Sequence, residues 1–324
     1  MINAAIVGLG RWGQNTVSAV YGKSERLRFI RGMVRHPDAV REFAAQRELE
    51  LTDDFGAVLA DPRVQAVVLV TPHALHVDQI VAAAAAGKAV LCEKPLALTR
   101  AGAERAVAAC AKAGVVLAVG QDKRIWPSMR EMKRAVASGA LGDILHVEGH
   151  FSNEISRTVH AAWRESPDEA PGASMTATGI HGVDAFVNLI GPVRRVEAQR
   201  ISHRPAPDPS DTVAVLLEFV NRVSGVLSAV RVTPFFWRVH VFGDKGSAEA
   251  LGEHELVLRM SGKAPQRTAY DPVEALRIQL EAFADAVEGR APYPIPSTQM
   301  VETVAALEAI VRSMEIGAPV LVNR

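Results

Sequence analysis

Gly8-Leu9-Gly10-Arg11-Trp12-Gly13 is the first run in the chain whose residue types and spacing can do chemistry. Glycines at these intervals, directly after an apolar strand and opening a helix, permit a tight turn. They also let backbone N–H groups and a helix N-terminus approach a pyrophosphate. The run points to a bound dinucleotide, with Arg11 and Trp12 inside the loop; a glycine-rich turn in a nucleotide-free domain is the plainer alternative. An NAD site of this kind carries an acidic residue about 20 positions on, at the end of the second strand. Here Val34 stands in that place, flanked by Arg35 and His36. No carboxylate repels a 2′-phosphate there, and a guanidinium can grip one through two hydrogen bonds, so NADP is expected, with NAD the alternative. Two further runs follow apolar strands: Thr71-Pro72-His73-Ala74-Leu75-His76 and Glu93-Lys94-Pro95-Leu96. Strand ends at the carboxyl edge are where a doubly wound sheet binds its ligand. His73 and His76 have no cysteine or carboxylate at ligand spacing, so no metal is expected. A Ser–His–Asp pattern is also lacking.

These runs need elements that bring them to one edge. Ile2–Val7, Leu27–Val34, Val64–Val70, Ala89–Cys92 and Val115–Val119 are apolar strands, separated by helical patterns over 12–21, 38–46, 74–86 and 99–113. Continuous apolar strands alternating with helices predict a parallel sheet covered on both faces, a doubly wound βαβ domain over residues 1–120. After Gly120 the pattern changes. Residues 144–152 alternate apolar and polar, helices are expected over 127–138 and 180–190, and short strands follow from 196 to 259. Alternation with short connections predicts an antiparallel meander and an α+β domain over residues 121–324, ending in helices over 273–288 and 297–316.

Composition excludes several classes. Lys+Arg and Asp+Glu are both 36 in 324 residues, so no basic excess invites nucleic acid. The chain is 48% hydrophobic and 22% charged, an ordinary globular balance. Cys92 and Cys110 lie in Ala/Val-rich runs and read as small buried hydrophobes in a reducing compartment. Arg11 and Trp12 come too early for a signal peptide, so no leader is expected. The longest apolar run, 80–86, stops at Gly87-Lys88, short of the ~18–20 residues a membrane span needs. The expected location is the cytoplasm.

The motifs taken together are similar to those of the glucose–fructose oxidoreductase / inositol dehydrogenase / rhizopine-catabolism family. The matching residues are Gly8-x-Gly10-x-x-Gly13, the TPxxxH run at 71–76, Glu93-Lys94-Pro95, Gly120-Gln121 with Arg124, Trp163-Arg164, Gly179-Ile180-His181-x-x-Asp184 and Gly243-x-x-Gly246-Ser247. They run in the family's order over nearly the whole chain. The resemblance implies an NAD(P)-dependent oxidoreductase: a Rossmann domain, then a substrate domain with a large, mostly antiparallel open sheet through which homodimers or homotetramers form. It makes Lys94 and His181 the candidate catalytic pair and adds Thr71, Pro72, His73, His76, Glu93, Gln121, Trp163 and Arg164 to the cofactor-binding candidates. A neutral imidazole suits removal of an alcohol proton, and an ammonium stabilises the alkoxide that develops.

One departure stands out. Sugar- and cyclitol-oxidising members carry an aspartate four residues before the histidine, where this chain has Ala177. Asp184, three residues after His181, shares its helix face and either orients or charge-couples the ring or makes a structural hydrogen bond. Thr176 and Thr178 are alternative contacts for substrate hydroxyls, and His160 and Arg157 for an anionic or hydroxylated substrate. Phe235-Phe236-Trp237 reads as core or subunit interface. The expected activity is hydride transfer between nicotinamide and a hydroxyl or carbonyl carbon of a small sugar, cyclitol or related cyclic alcohol. A non-catalytic NAD(P)-binding regulator and an NAD-dependent glycosidase are the alternatives.

Overall fold

Unbroken apolar runs carry the first sheet: the neighbouring pairs Ala4 and Ala5, Val67 and Val68, and Val90 and Leu91 are 0–1% exposed, so these strands are buried on both faces. In the computed structural model, which describes residues 1–154, 166, 169–204 and 211–322, this region runs β1 (Ile2–Val7), α1 (Arg11–Val20), β2 (Leu27–Met33), α2 (Arg41–Ala45), β3 (Glu50–Thr52), α3 (Phe55–Ala60), β4 (Ala66–Leu69), α4 (His76–Ala85), β5 (Ala89–Glu93), α5 (Arg100–Ala113) and β6 (Leu117–Gly120). All its ladders are parallel and the order is β3-β2-β1-β4-β5-β6, the doubly wound arrangement. The segment expected as one helix over 38–46 is a 3₁₀ turn, Pro37–Val40, followed by the short α2. β3 and α3 are not legible in the sequence, because three and six residues are too few to show a period.

The second sheet follows from alternation. After α6 (Pro127–Ala137) come β7 (Ile144–Asn153), α7 (Ile180–Leu189), β8 (Val193–Ser202), β9 (Asp211–Phe219), β10 (Ser224–Arg231), β11 (Phe236–Gly243), β12 (Gly246–Leu251), β13 (Glu255–Met260), β14 (Gln266–Ala269) and β15 (Val320–Leu321). Among the described residues they form one sheet, β14-β13-β12-β11-β7-β10-β9-β8-β15. It is not a simple meander: β7 lies between β11 and β10 and pairs parallel to β10, while the other ladders are antiparallel. Local alternation fixes which face a residue takes, not which strand becomes its neighbour.

The chain divides into two compact units, Met1–Asp122 with Glu274–Met300, and Lys123–Val273 with Val301–Arg324. A boundary at 120 with no return does not anticipate the first unit's second segment. Leu280, Phe283 and Ala284 of the helix Ala275–Val287 share one core with Leu27, Phe29 and Val17, and Tyr293 Oη donates to the Val119 carbonyl at 2.8 Å. Fully burying a side chain such as Leu280 or Phe283 contributes about 1.5–3 kcal/mol, enough to hold the helix to this unit.

Candidate active site

In the first unit, β1 ends at the point where strand order reverses, and the turn that follows is tightly constrained. Gly8 has φ +102°, and a Cβ there would lie 2.4 Å from the Val70 carbonyl oxygen. A Cβ on Gly13 would come within 1.9 Å of the Gly8 carbonyl, so neither position accepts a larger residue. Gly10 is different: it is exposed, and a Cβ would meet nothing within 4 Å among the described residues. The helix α1 starts here with no acidic residue and no side-chain cap in its first turn. Backbone N–H groups beside open space at a helix N-terminus fit a pyrophosphate. Arg11 is exposed next to Gly10, and the Arg35-His36 pair sits in the loop after β2, with both side chains exposed.

The loop after β4 is braced from within. His76 is 0% exposed; its Nδ1 lies 2.8 Å from the Pro95 carbonyl oxygen and its Nε2 3.0 Å from that of Thr71. A side chain so buried has no surface for a dinucleotide, which corrects the expectation that His76 is a direct cofactor contact. Its ring instead ties the Thr71 loop to the Glu93-Lys94-Pro95 loop. His73 packs edge-on against it with centroids 5.7 Å apart, and the Thr71 hydroxyl donates to Gln79 Oε1 at 2.6 Å. Pro72 opens the short turn His73–Leu75.

Glu93 closes β5, and Lys94 follows it, its backbone N–H donating to Glu93 Oε2 at 3.2 Å. Withdrawal from water pushes the Glu93 carboxyl above its ordinary range, and the Asp122 charge adds to this. The Trp12 indole and the Lys94 ammonium pull the other way. Trp12 Nε1 is itself buried without completing a hydrogen bond among the described residues, so its effect on Glu93 is that of a nearby N–H dipole. Gln121, just past β6, is buried.

In the second unit, a single π-helical turn, Met175–Gly179, runs directly into α7 and puts His181 in that helix's first turn. Such turns cluster at functional sites, and apolar periodicity does not announce them. Thr176 Oγ1 accepts the Gly172 N–H at 2.9 Å, and Thr178 Oγ1 donates to the Ser174 carbonyl at 2.6 Å. Both threonines are buried, so their hydroxyls serve the turn and not a substrate. His181 is also buried, with Phe151 of β7 edge-on to its ring, centroids 5.8 Å apart.

Asp184 faces a partner that spacing does not reveal. Arg124 donates from Nε to Oδ2 and from Nη2 to Oδ1, each at 2.7 Å, with the two side chains 7% and 4% exposed. Arg124 Nη1 also reaches Asn188 Oδ1 at 3.2 Å, one turn further along α7. Burial and the Arg124 charge push the neighbouring Lys133 ammonium down, against the pull of Asp184. In the sequence Arg124 stands only as a member of a motif; a pair 60 residues apart has no periodic signature. Trp163 and Arg164, with Arg157 and His160, lie outside the described residues.

Among the described residues no group of three or more His, Cys, Asp or Glu side chains could hold a metal ion, and no helix is long and apolar enough to cross a membrane. Cys92 and Cys110 are buried free thiols, both pushed up by burial.

Comparison with known proteins supplies the context. Residues 2–121 match the family described as "Oxidoreductase family, NAD-binding Rossmann fold", and residues 129–249 match the GFO/IDH/MocA C-terminal domain. Inositol 2-dehydrogenase 1 of Saccharopolyspora erythraea is 30% identical over 337 aligned positions, covering 99% of this chain and 96% of that protein. D-xylose 1-dehydrogenase (NADP(+)) 2 of Haloferax volcanii is 29% identical, covering 87% and 89% of the two chains. The crystal structure of an oxidoreductase domain protein from Kribbella flavida superposes with a TM-score of 0.89 over 100% of both chains at 23% identity, a likeness of fold. Both halves of the chain match, in order, the two domains that define one family, and the chain belongs to it: the GFO/IDH/MocA family of NAD-binding oxidoreductases.

Proposed function

We propose that the chain is an NADP(H)-dependent dehydrogenase or reductase acting on a hydroxyl or carbonyl carbon of a small cyclic molecule. The observation that carries this reading is the β1–α1 turn. Gly8 and Gly13 are packed too tightly for any side chain, while Gly10 faces open space at an uncapped helix N-terminus. The residues that would hold the dinucleotide are Gly8, Gly10, Arg11, Trp12 and Gly13 at the pyrophosphate, Arg35 and His36 at the 2′-phosphate, and Thr71, Pro72, His73, Glu93, Lys94, Gln121, Trp163 and Arg164 further along. When bound, the nicotinamide ring accepts or supplies the hydride. The named relatives, an inositol dehydrogenase and an NADP-linked xylose dehydrogenase, support a ring alcohol, and the name of the second supports NADP.

The chain's own residues run the proton. In the oxidative direction the His181 imidazole takes the hydroxyl proton, and the Lys94 ammonium stabilises the alkoxide as the carbon loses hydride. Asp184 acts through Arg124: its carboxylate holds α7, and therefore His181, in place as a positioning residue. His76 does the same for the loop that carries Lys94. The first unit is read as the nucleotide domain and the second as the substrate domain. The open face of the second sheet, where Ile201, Leu216, Val226 and Phe236 are 38–57% exposed, is the surface through which homodimers or homotetramers are proposed to form.

The test is turnover by Lys94→Ala and His181→Ala against a panel of sugars, cyclitols and cyclic alcohols, with reduced nicotinamide followed by absorbance. Loss of at least about 100-fold in kcat for each variant is expected from the usual contribution of a positioned acid–base group. Unchanged turnover in both overturns the assignment. A glycoside cleaved with no net change in cofactor absorbance would replace it with the redox-neutral glycosidase reading.

A further inference from the structure

His181 stands at the edge of an aromatic cluster that reaches the surface. Phe151, its ring partner, is edge-on to Phe235 at 5.8 Å and to Trp237 at 5.4 Å. Trp126 is edge-on to the same two rings, at 6.3 and 5.5 Å. The Lys123 ammonium lies 4.8 Å from the Trp126 ring centroid and 5.4 Å from that of Phe151. Trp237, Phe151 and Trp126 are buried, whereas Phe235 is 56% exposed, so the cluster emerges at one ring. That ring is held: the Ser152 hydroxyl, next to Phe151 on β7, donates to the Pro234 carbonyl at 3.0 Å, fixing the residue before Phe235. An exposed aromatic side chain fixed against buried ones is a binding platform, since it covers a ligand at little further loss of side-chain freedom.

Among the described residues of the turn and helix that carry His181, the groups that would read a ring crowded with hydroxyls are otherwise engaged. Ala177 has no polar side chain, the Thr176 and Thr178 hydroxyls bond to backbone, and both Asp184 oxygens receive Arg124. A polyol transferred from water to such a surface leaves hydroxyls poorly paired, which is costly, whereas a hydrocarbon ring face gains by leaving water. We propose that Phe235, backed by Phe151, forms an apolar platform beside His181, and that the substrate is a sparsely hydroxylated carbocyclic alcohol or its ketone, not a fully hydroxylated cyclitol or sugar. This rests on the nicotinamide-linked reading above. The oxidation is the balanced one: the carbinol C–H leaves as hydride to NADP⁺, the O–H proton leaves to the protein, the C–O bond becomes a carbonyl, and NADP⁺ becomes NADPH.

The experiment uses the whole protein with NADP⁺ and two probes sharing a six-membered carbon ring, trans-1,2-cyclohexanediol and myo-inositol, with NADPH binding measured by fluorescence on the same samples. The diol should exceed myo-inositol by at least about 10-fold in kcat/KM, Phe235→Ala should raise its KM by about 10-fold with kcat nearly held, and Phe235→Trp should restore it. Equal or better use of myo-inositol, or a KM indifferent to Phe235→Ala, overturns the platform. So does a protein that binds NADPH and oxidises neither ring. Failure to bind NADPH at all is a separate result, which overturns the proposed function and this inference with it.

Discussion

Removing the Arg124 guanidinium should be among the most damaging single changes in the second unit. The Asp184 carboxylate has both oxygens bonded to Arg124 at 2.7 Å and is itself buried, so in Arg124→Met it stays buried without its cation. The Thr303 hydroxyl, 3.5 Å from Oδ1, is too distant to replace two charge-assisted bonds. Breaking a buried pair by removing one partner destabilises by about 3–5 kcal/mol, while exchanging both partners for apolar residues of similar volume is often close to neutral. Arg124→Met should therefore lower the unfolding free energy by about 3–5 kcal/mol, and Arg124→Met with Asp184→Leu should recover most of that loss. The assay is urea unfolding followed by circular dichroism on the two single variants and the double. A functional arm separates anchoring from charge coupling. If Asp184 acts only through Arg124, Asp184→Asn lowers kcat without moving the pH at which the catalytic base titrates. A loss below about 1 kcal/mol in Arg124→Met, typical of an exposed pair, would refute the reasoning. A shifted pH profile in Asp184→Asn would show direct coupling to His181.

Two further predictions come from buried histidines. His76→Leu leaves the Thr71 and Pro95 carbonyls without their ring partner, so it should destabilise by about 1–3 kcal/mol and slow turnover more than it weakens NADPH binding; wild-type melting and kcat together would contradict the brace. His240, pushed down to about 4 by burial and by Arg238 and Arg259 against the pull of Glu249 and Glu148, is neutral when folded but takes up a proton on unfolding near pH 6.5. The unfolded chain therefore binds more protons between those values, and stability is full above about pH 6.5 and declines towards pH 4, by on the order of 2–3 kcal/mol from this residue. His240→Gln should flatten that part of a urea-midpoint profile between pH 7 and 5; an unchanged slope would sink the assignment.

What can be read from sequence follows from how local each feature is. The Gly8–Gly13 run and the apolar strands at 2–7, 66–69 and 89–93 announce themselves because turn chemistry and double-faced burial are written in consecutive residues. The helix Ala275–Val287 is equally legible as a helix, but its amphipathic face does not say which core it joins, and it packs with the first unit. The placement of β7 between β11 and β10 is a long-range choice of the same kind. At the site, His181 is visible in its motif, while the role of Asp184 is not, because its partner lies 60 residues earlier. The aromatic run at 235–237 reads as core or interface from its composition. Trp237 is buried inside the unit, in keeping with a core role, and Phe235 lies at its surface.

The central claim is that the Gly8–Gly13 turn binds a nicotinamide dinucleotide and that the Arg35 loop prefers the 2′-phosphate. Calorimetric titration with NADPH and NADH tests it most directly. One NADPH per chain is expected, bound about 10- to 100-fold more tightly than NADH, the range that charge-assisted hydrogen bonds to the phosphate supply. In Arg35→Ala that margin should narrow. Tighter binding of NADH would contradict the reading of Arg35, and binding of neither would contradict the dinucleotide site itself.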